Sequence, residues 1–211
     1  KGRCQMNKLM ISVFAALMLT FAVTAYSDSV HENLENNLIR LHIIANSDSE
    51  EDQSIKYKIR DEILKTEGER LVAEDKNECG INIYERLPYI KATAERVLSE
   101  NGFDYGAKAV YGKFEFPKKQ YKNIILPCGE YYGVRVVLGN GQGKNWWCVM
   151  YPPLCFKEGE EVRLSKESEK ILREKLDKDT YDIITKNDKE VVVKFKLVEI
   201  VQEIKQKING D

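Results

Sequence analysis

Apolar residues along this chain recur at two different periods, and the change of period separates predicted strands from predicted helices. Residues 38–44 alternate imperfectly and are rich in β-branched side chains, which predicts a central strand. Ser47 and Glu50 then match a capping box, so we expect a helix to begin there. Its buried stripe is predicted from apolar residues spaced by four: Ile55, Ile59 and Ile63.

The middle of the chain is predicted to hold a second helix and several strands. The helix should run from about residue 81 to residue 99, and Pro88 should kink or restart it. Four later segments have the composition or alternation of strands: residues 107–116, 124–126, 131–138 and 146–151. Because only a glycine-rich stretch separates the last two, we predict that they form a hairpin.

The carboxy-terminal quarter is strongly charged but keeps helical spacing. Ile171, Leu172 and Leu176 predict a short helix. A closing helix is predicted from one stripe, although the alternation that starts at Val191 also allows a short strand before it: Val193, Leu197, Ile200, Val201, Ile204 and Ile208. Together the elements predict a single α+β domain in which helices cover an antiparallel sheet.

The amino-terminal end is predicted to direct export. Residues 9–25 form an uncharged apolar run with three cations before it, which is the layout of a signal peptide or a membrane anchor. The run is slightly short for a bilayer span of about 20 residues, and the small residues at 23–25 favour cleavage after Ala25. An uncleaved anchor is the alternative. In both cases residues 26–211 form the exported domain, which meets a membrane only through this segment.

Charge excludes one class of partner. Residues 26–211 carry 30 basic and 34 acidic side chains, which gives a formal charge of −4. Phosphate backbones are bound by clustered Lys and Arg, so this mildly acidic and evenly mixed chain is not expected to bind nucleic acid.

Four cysteines remain in the exported domain, where the environment is oxidising. Cys148 and Cys155 bracket a diproline that bends the chain, so their Cα atoms could approach to the distance of about 6 Å that a disulfide requires. Two buried thiols are the alternative. No C-x-x-C motif is present and the chain has two histidines, so we expect no zinc site and no cofactor.

The junction after the first strand carries the main candidate site. His42 could be a ligand together with Asp48 and Asp52, but a lone histidine within an apolar strand more often satisfies its nitrogens locally. Helix capping already explains both acids. The polar residues around this junction exceed what capping needs, and we predict that they contact a partner: Asn46, Ser47, Asp48, Asp52 and Gln53.

Two further motifs have ordinary explanations. The string Gly139-Asn-Gly-Gln-Gly143 resembles a phosphate-binding loop, but strands flank it, so a turn is favoured. Trp146 and Trp147 should point to opposite faces of their strand. With the diproline after them, one tryptophan could anchor a protein partner, or the diproline could simply form a corner that ends the strand.

Two strings in this chain resemble one known family. They are Arg40-Leu-His-Ile-Ile-Ala-Asn-Ser-Asp-Ser-Glu-Glu-Asp-Gln53 and Trp146-Trp-Cys-Val-Met-Tyr-Pro-Pro-Leu-Cys-Phe156, and they closely resemble stage II sporulation protein R. The resemblance covers most of the exported domain, from about residue 38 to residue 156.

The resemblance implies a signalling function rather than catalysis. Proteins of this family are exported into the space between forespore and mother cell, where a membrane-embedded aspartic-type protease depends on them to mature the mother-cell sigma factor, sigma-E. The implied partner is that protease, in the opposing membrane. Two other functions remain open on the residues alone. One is an exported hydrolase acting on cell wall or peptide, built on His42, Asp48 and a cysteine, and the other is a structural envelope domain.

Overall fold

Helices and strands alternate through most of the chain in the computed structural model, which describes residues 2–67, 76–121, 124–152, 166–186 and 189–209. The helices are α1 (Gly2–Asn37), α2 (Glu50–Glu67), α3 (Lys76–Glu100), α4 (Lys166–Lys175), α5 (Lys178–Thr185) and α6 (Lys189–Asn209). The strands are β1 (Ile39–Ile44), β2 (Ala107–Phe116), β3 (Lys119–Tyr121), β4 (Ile124–Leu126), β5 (Gly129–Leu138) and β6 (Asn145–Tyr151).

Helix α1 has two parts with different surroundings. From Met6 to Ala22 its side chains are exposed, although most are apolar. Its last turns pack into the domain, where Val30 and Leu34 are buried. The segment Met6–Asn37 is long and apolar enough to cross a membrane, and a signal sequence meets the same criterion, so an export segment is consistent with either alternative. Within the described residues, every buried side chain lies at or after Ser27.

The main sheet has the strand order β2-β5-β1-β6. Strand β1 pairs with β6 and β2 pairs with β5 in antiparallel fashion, whereas β1 and β5 are parallel. The α+β class is therefore confirmed, and the sheet is mixed rather than wholly antiparallel. Strands β3 and β4 form a separate small antiparallel pair.

The predicted hairpin between the last two strands is wrong, because β1 lies between them. Residues 139–144 cross over the end of β1 to join β5 to β6. Two strand spacings amount to about 9.6 Å, which six residues span easily. Alternation of apolar residues shows that a strand is half-buried, but it does not show which strand is its neighbour.

The two faces of the sheet are covered by different helices. One core packs Leu41 and Ile43 of β1 against α2 and α3. The other core gathers side chains from α1, the small sheet and the carboxy-terminal helices. Trp146 belongs to the first core and Trp147 to the second, each partly buried, so the prediction that they point to opposite faces is confirmed.

Several helix ends differ from prediction. Helix α2 begins at Glu50, but Ser49 is the residue that caps it, since its Oγ accepts the amide of Asp52 at 3.1 Å. Ser47 instead accepts the amide of Ser49 at 3.2 Å. Helix α3 begins five residues before the predicted start and continues through Pro88. The closing helix is confirmed as α6, with Val191 in its first turn rather than in a strand.

Candidate functional site at the end of strand β1

The crossing loop, residues 139–144, fastens the end of β1 to the start of α2. The amide of Gly143 donates to the carbonyl of Ala45 at 2.9 Å, and the amide of Gln142 donates to the carbonyl of Asn46 at 3.1 Å. The amide of Lys144 donates to Asp48 Oδ1 at 2.7 Å. Three segments that are distant in sequence therefore form one surface. We call Asn46, Ser47, Asp48, Asp52 and Gln53, together with this loop, the rim.

Glycine is needed where the crossing loop contacts Asn46 and Ser47. A Cβ at Gly143 would lie 2.1 Å from the backbone oxygen of Ser47, far inside contact distance. At Gly139, whose φ is +52°, a Cβ would lie 2.2 Å from Asn46 Oδ1. These glycines therefore serve close backbone approach and a left-handed turn. The loop leads into β6 rather than into a helix, so it lacks the geometry of a phosphate-binding loop.

Asp52 is the centre of the hydrogen bonding beneath the rim. Its Oδ2 accepts Ser47 Oγ at 2.5 Å and Asn46 Nδ2 at 2.9 Å, and its Oδ1 accepts the hydroxyl of Tyr105. Burial alone would raise the pKa of Asp52, but the hydrogen bonds from Ser47, Tyr105 and Asn46 outweigh it and lower the pKa below its ordinary value. The carboxylate is 5% exposed, so we assign it the role of positioning the other rim side chains.

A second set of contacts holds the rim from the side of α2. The side-chain amide of Gln53 donates to the carbonyl of Ser47 at 2.8 Å. Lys56, which is buried, donates to Gln53 Oε1 at 2.6 Å and to the carbonyl of Lys144 at 3.0 Å. A buried cation is thus compensated by oxygens from both the helix and the loop.

The surface that the rim offers to solvent is polar and mainly acidic. Asp48 is exposed, and Glu50 and Glu51 continue the exposed acids along the first turn of α2. Asn46, Ser47 and Gln53 are half-buried. The predicted residues do lie together, but partner contact by them stays a prediction. Sequence reasoning missed Tyr105 and Lys56, because nothing local marks a tyrosine that bonds to an acid 53 positions away.

His42 is held as a neutral side chain on the other face of β1. Arg135 Nε donates to its Nδ1 at 3.2 Å, so Nε2 carries the proton and donates to Asn145 Oδ1 at 2.7 Å. Its ring stacks on Trp147 at 3.6 Å between centroids. Burial, with the nearby charges of Arg135 and Arg40, lowers the pKa of His42 to about 4.

The alternatives that used His42 are not assembled in the described residues. Both of its nitrogens already have partners, and no group of three or more His, Cys, Asp or Glu in this part of the chain could hold a metal ion. Cys148 is disulfide-bonded and lies opposite Leu41 in the strand register, so its side chain faces away from His42.

The other cysteines have different surroundings. Cys155 lies outside the described residues, so its pairing with Cys148 stays a prediction. Cys79 and Cys128 are buried as thiols, and burial raises their pKa values to about 12 and about 11. Neither has the lowered pKa of a reactive cysteine.

Comparisons with known proteins agree with the two strings in the sequence. The family described as stage II sporulation protein R matches residues 35–161, a range that contains the whole rim. Stage II sporulation protein R of Bacillus subtilis (strain 168) is 35% identical to this chain, in a match that covers 81% of this chain and 83% of that protein. No solved structure matches.

Proposed function

The chain belongs to the stage II sporulation protein R family, which gives it a role in sporulation, and we propose that it is an exported signal that activates a membrane-embedded protease. The protease is of the aspartic type and lies in the mother-cell membrane that faces the forespore, the cell that makes the signal. Its activation leads to proteolytic maturation of the mother-cell sigma factor, sigma-E. The space between forespore and mother cell is where the signal acts.

Family membership carries this proposal, and the layout of the chain supports it. An exposed apolar helix precedes the folded body, as export requires, and from Met6 to Tyr26, where its side chains are described, this helix supplies no buried side chain to that body. The signal therefore reaches its receptor as a folded domain, with or without its anchor.

The rim is the surface that we propose for receptor contact. Its side chains and the crossing loop are fixed by hydrogen bonds before any partner arrives, so binding loses little conformational entropy there. Asp48, Glu50 and Glu51 would meet a basic surface on the receptor, and such charges mainly set the rate and orientation of association.

Activation needs only differential binding. A protein that binds the active state of a protease more tightly than the inactive state shifts the equilibrium toward activity. A preference of about 1.4 kcal/mol shifts that equilibrium tenfold. This mechanism uses no catalytic group on the signal itself.

The test is reconstitution in a host that contains only the protease, the sigma-factor precursor and the full chain exported through its own amino-terminal segment. We expect the precursor to be processed, as measured by immunoblot, and we expect processing to stop when export is blocked. Absence of processing while the protein is exported and folded would contradict the proposal.

Variants of the rim test the contact surface in the same host. We expect Asp48→Ala with Gln53→Ala to abolish processing. Because Gln53 also bonds to buried Lys56, the single charge reversal Asp48→Lys is the cleaner companion, and it should lower processing without loss of folding. Glu174→Ala is the matched control, since it removes an exposed acid from α4, a helix that packs in the other core than α2 does. Normal processing by folded rim variants would remove the rim from the proposal.

A further inference from the structure

Helix α6 exposes a straight apolar stripe. Its members follow one another at spacings of three and four residues and are between 37% and 70% exposed: Val193, Leu197, Ile200, Ile204 and Ile208. We call these five residues the α6 seam. The opposite side of the same helix is the one that enters the core, through Val191, Phe195 and Val198. A stripe at this spacing is the pattern by which one helix packs along another.

The helix that already packs on α6 does not cover the seam. Helix α1 meets α6 through polar contacts on another side, where Ser27 Oγ donates to the carbonyl of Val198 at 3.4 Å and Gln202 donates to Ser27 Oγ at 3.1 Å. Lys205 lies 2.5 Å from Asp28. Among the described residues nothing covers the seam, so it is available to a partner outside this chain.

The charges around the seam do not favour a membrane surface as that partner. Binding to anionic lipid needs cations that are available beside the apolar face. On α6, Lys194 is paired with Asp179 and Glu190, and Lys205 is paired with Asp28. Lys196 contacts Glu199. Among the described side chains of α6, Lys207 is the one cation that is exposed without an ion pair, and a single lysine is fewer than the cluster that binding to anionic lipid uses.

We propose that the seam binds a second copy of this chain, with the two α6 helices antiparallel. In that arrangement Leu197 packs on the partner's Ile200 and Val193 packs on the partner's Ile204, so four of the five seam residues meet another apolar residue, while Ile208 lies beyond the paired stretch. Lys196 then lies beside the partner's Glu203, and Glu203 beside the partner's Lys196. Lys196 contacts Glu199 within one copy, but Glu199 is also paired with Lys118 and keeps that cation if Lys196 turns to the partner. The pairing is thus complementary in charge as well as in apolarity, while a parallel pair would leave these charges opposite Val201 and Ile208.

The size of the seam sets the expected strength. A single helix face buries less surface than the roughly 800 Å² per partner of a standard interface, so we expect a dimer with a Kd in the micromolar range. Attachment of both copies to one membrane, or high local concentration after export, would raise its population.

Two differently tagged full-length copies, produced in one host and extracted in mild detergent, test the proposal by co-capture. We expect wild-type copies to capture each other and Ile200→Gln to reduce capture by about tenfold. Val192→Gln is the matched control, since Val192 is an exposed valine on the same helix but outside the seam. Capture that survives Ile200→Gln, or no capture of wild type by wild type, would overturn the proposal.

Charge exchange tests the antiparallel pairing. Lys196→Glu copies should not capture one another, and neither should Glu203→Lys copies, because each substitution places like charges across the interface. A Lys196→Glu copy should capture a Glu203→Lys copy at close to the wild-type level, since both cross-pairs are then complementary. Circular dichroism confirms that each variant is folded. Failure of the mixed pair alone would overturn the antiparallel arrangement.

Discussion

The rim and the α6 seam are both exposed surfaces, yet the side chains of the rim are held by hydrogen bonds within the protein and those of the seam are not. At the rim, polar groups from the turn after β1, from α2 and from the crossing loop bond to one another, and the carboxylate of Asp52 is enclosed by three donors. On the seam, aliphatic side chains face outward without such enclosure. The rim is therefore fixed in shape by the fold itself, while the seam gains free energy only when another surface covers it.

This difference suits the two surfaces to different tasks: the seam to binding affinity and the rim to the selection and orientation of a partner. Apolar area removed from water contributes about 25 cal/mol per Å², so the seam can supply binding energy with little geometric demand. A fixed polar surface contributes less net energy but rejects partners whose donors and acceptors do not match. In the function proposed above, the seam would serve association and the rim would serve recognition of the receptor.

The largest expected effect comes from removing the centre of the rim. Asp52→Ala leaves the half-buried donors of Asn46, Ser47 and Tyr105 without their charged acceptor, so the free energy of unfolding should fall by about 4 kcal/mol. Urea unfolding of residues 26–211 measures it. Asp48→Ala removes one exposed acceptor from the same rim and should cost less than about 1 kcal/mol. Equal costs for the two variants would show that the rim is not organised around Asp52.

A pH titration tests whether the imidazole of His42, in β1, is held as firmly as the carboxylate of Asp52. The folded pKa of His42 is about 4, against an ordinary value of 6.5, because of burial and the charges of Arg135 and Arg40. Between these two values the unfolded chain binds a proton that the folded chain does not. Stability should therefore fall as pH drops from 6.5 to 4, by up to about 3 kcal/mol.

The contribution of His42 is isolated by comparing the pH dependence of stability in the wild type and in a variant that lacks the imidazole. His42→Gln should flatten the unfolding curve over that pH range even though it lowers stability at neutral pH, and NMR of the imidazole should give a pKa well below 6.5. A histidine that titrates normally would contradict the neutral, doubly bonded imidazole.

Close backbone approach at the rim predicts a smaller effect. In Gly143→Ala the new Cβ meets the backbone oxygen of Ser47, so the loop must withdraw, at a cost of about 2 kcal/mol. Gly112→Ala is the matched control, because the nearest atom to its Cβ, on Phe114, is at an ordinary 3.6 Å. We expect that control to be neutral or slightly stabilising. An equally neutral Gly143→Ala would mean that the loop does not depend on this contact.

The helices and strands were predicted from the sequence better than the pairing of the strands in the sheet. Strand β2 coincides with the predicted residues 107–116, since alternation marks a half-buried strand wherever it lies. The insertion of β1 between β5 and β6 joins residues about 100 positions apart, and no local pattern encodes it. The rim residues were found because they are clustered in sequence. Tyr105, which completes their bonding, was not.

Helix α6 shows the same limit in a single element. The stripe from Val193 to Ile208 correctly predicted a helix, but it is the exposed stripe, and the core receives Val191, Phe195 and Val198 instead. Apolar residues occupy more than one side of this helix, so periodicity predicts its existence without choosing the buried side. Because the core buries only one apolar side of α6, the second apolar side stays exposed.

The smallest predicted effect on stability follows from this choice of face. Ile200→Gln lies on the seam and should change the free energy of unfolding of the monomer by less than about 0.5 kcal/mol, although it disrupts self-association. Val198→Ala, two positions away and fully buried, should cost about 2 kcal/mol. Both are measured by urea unfolding below the concentration at which copies associate, because a dimer adds concentration-dependent stability. If Ile200→Gln cost as much as Val198→Ala, the seam would be part of the monomer core, and the contrast between the two surfaces would fail.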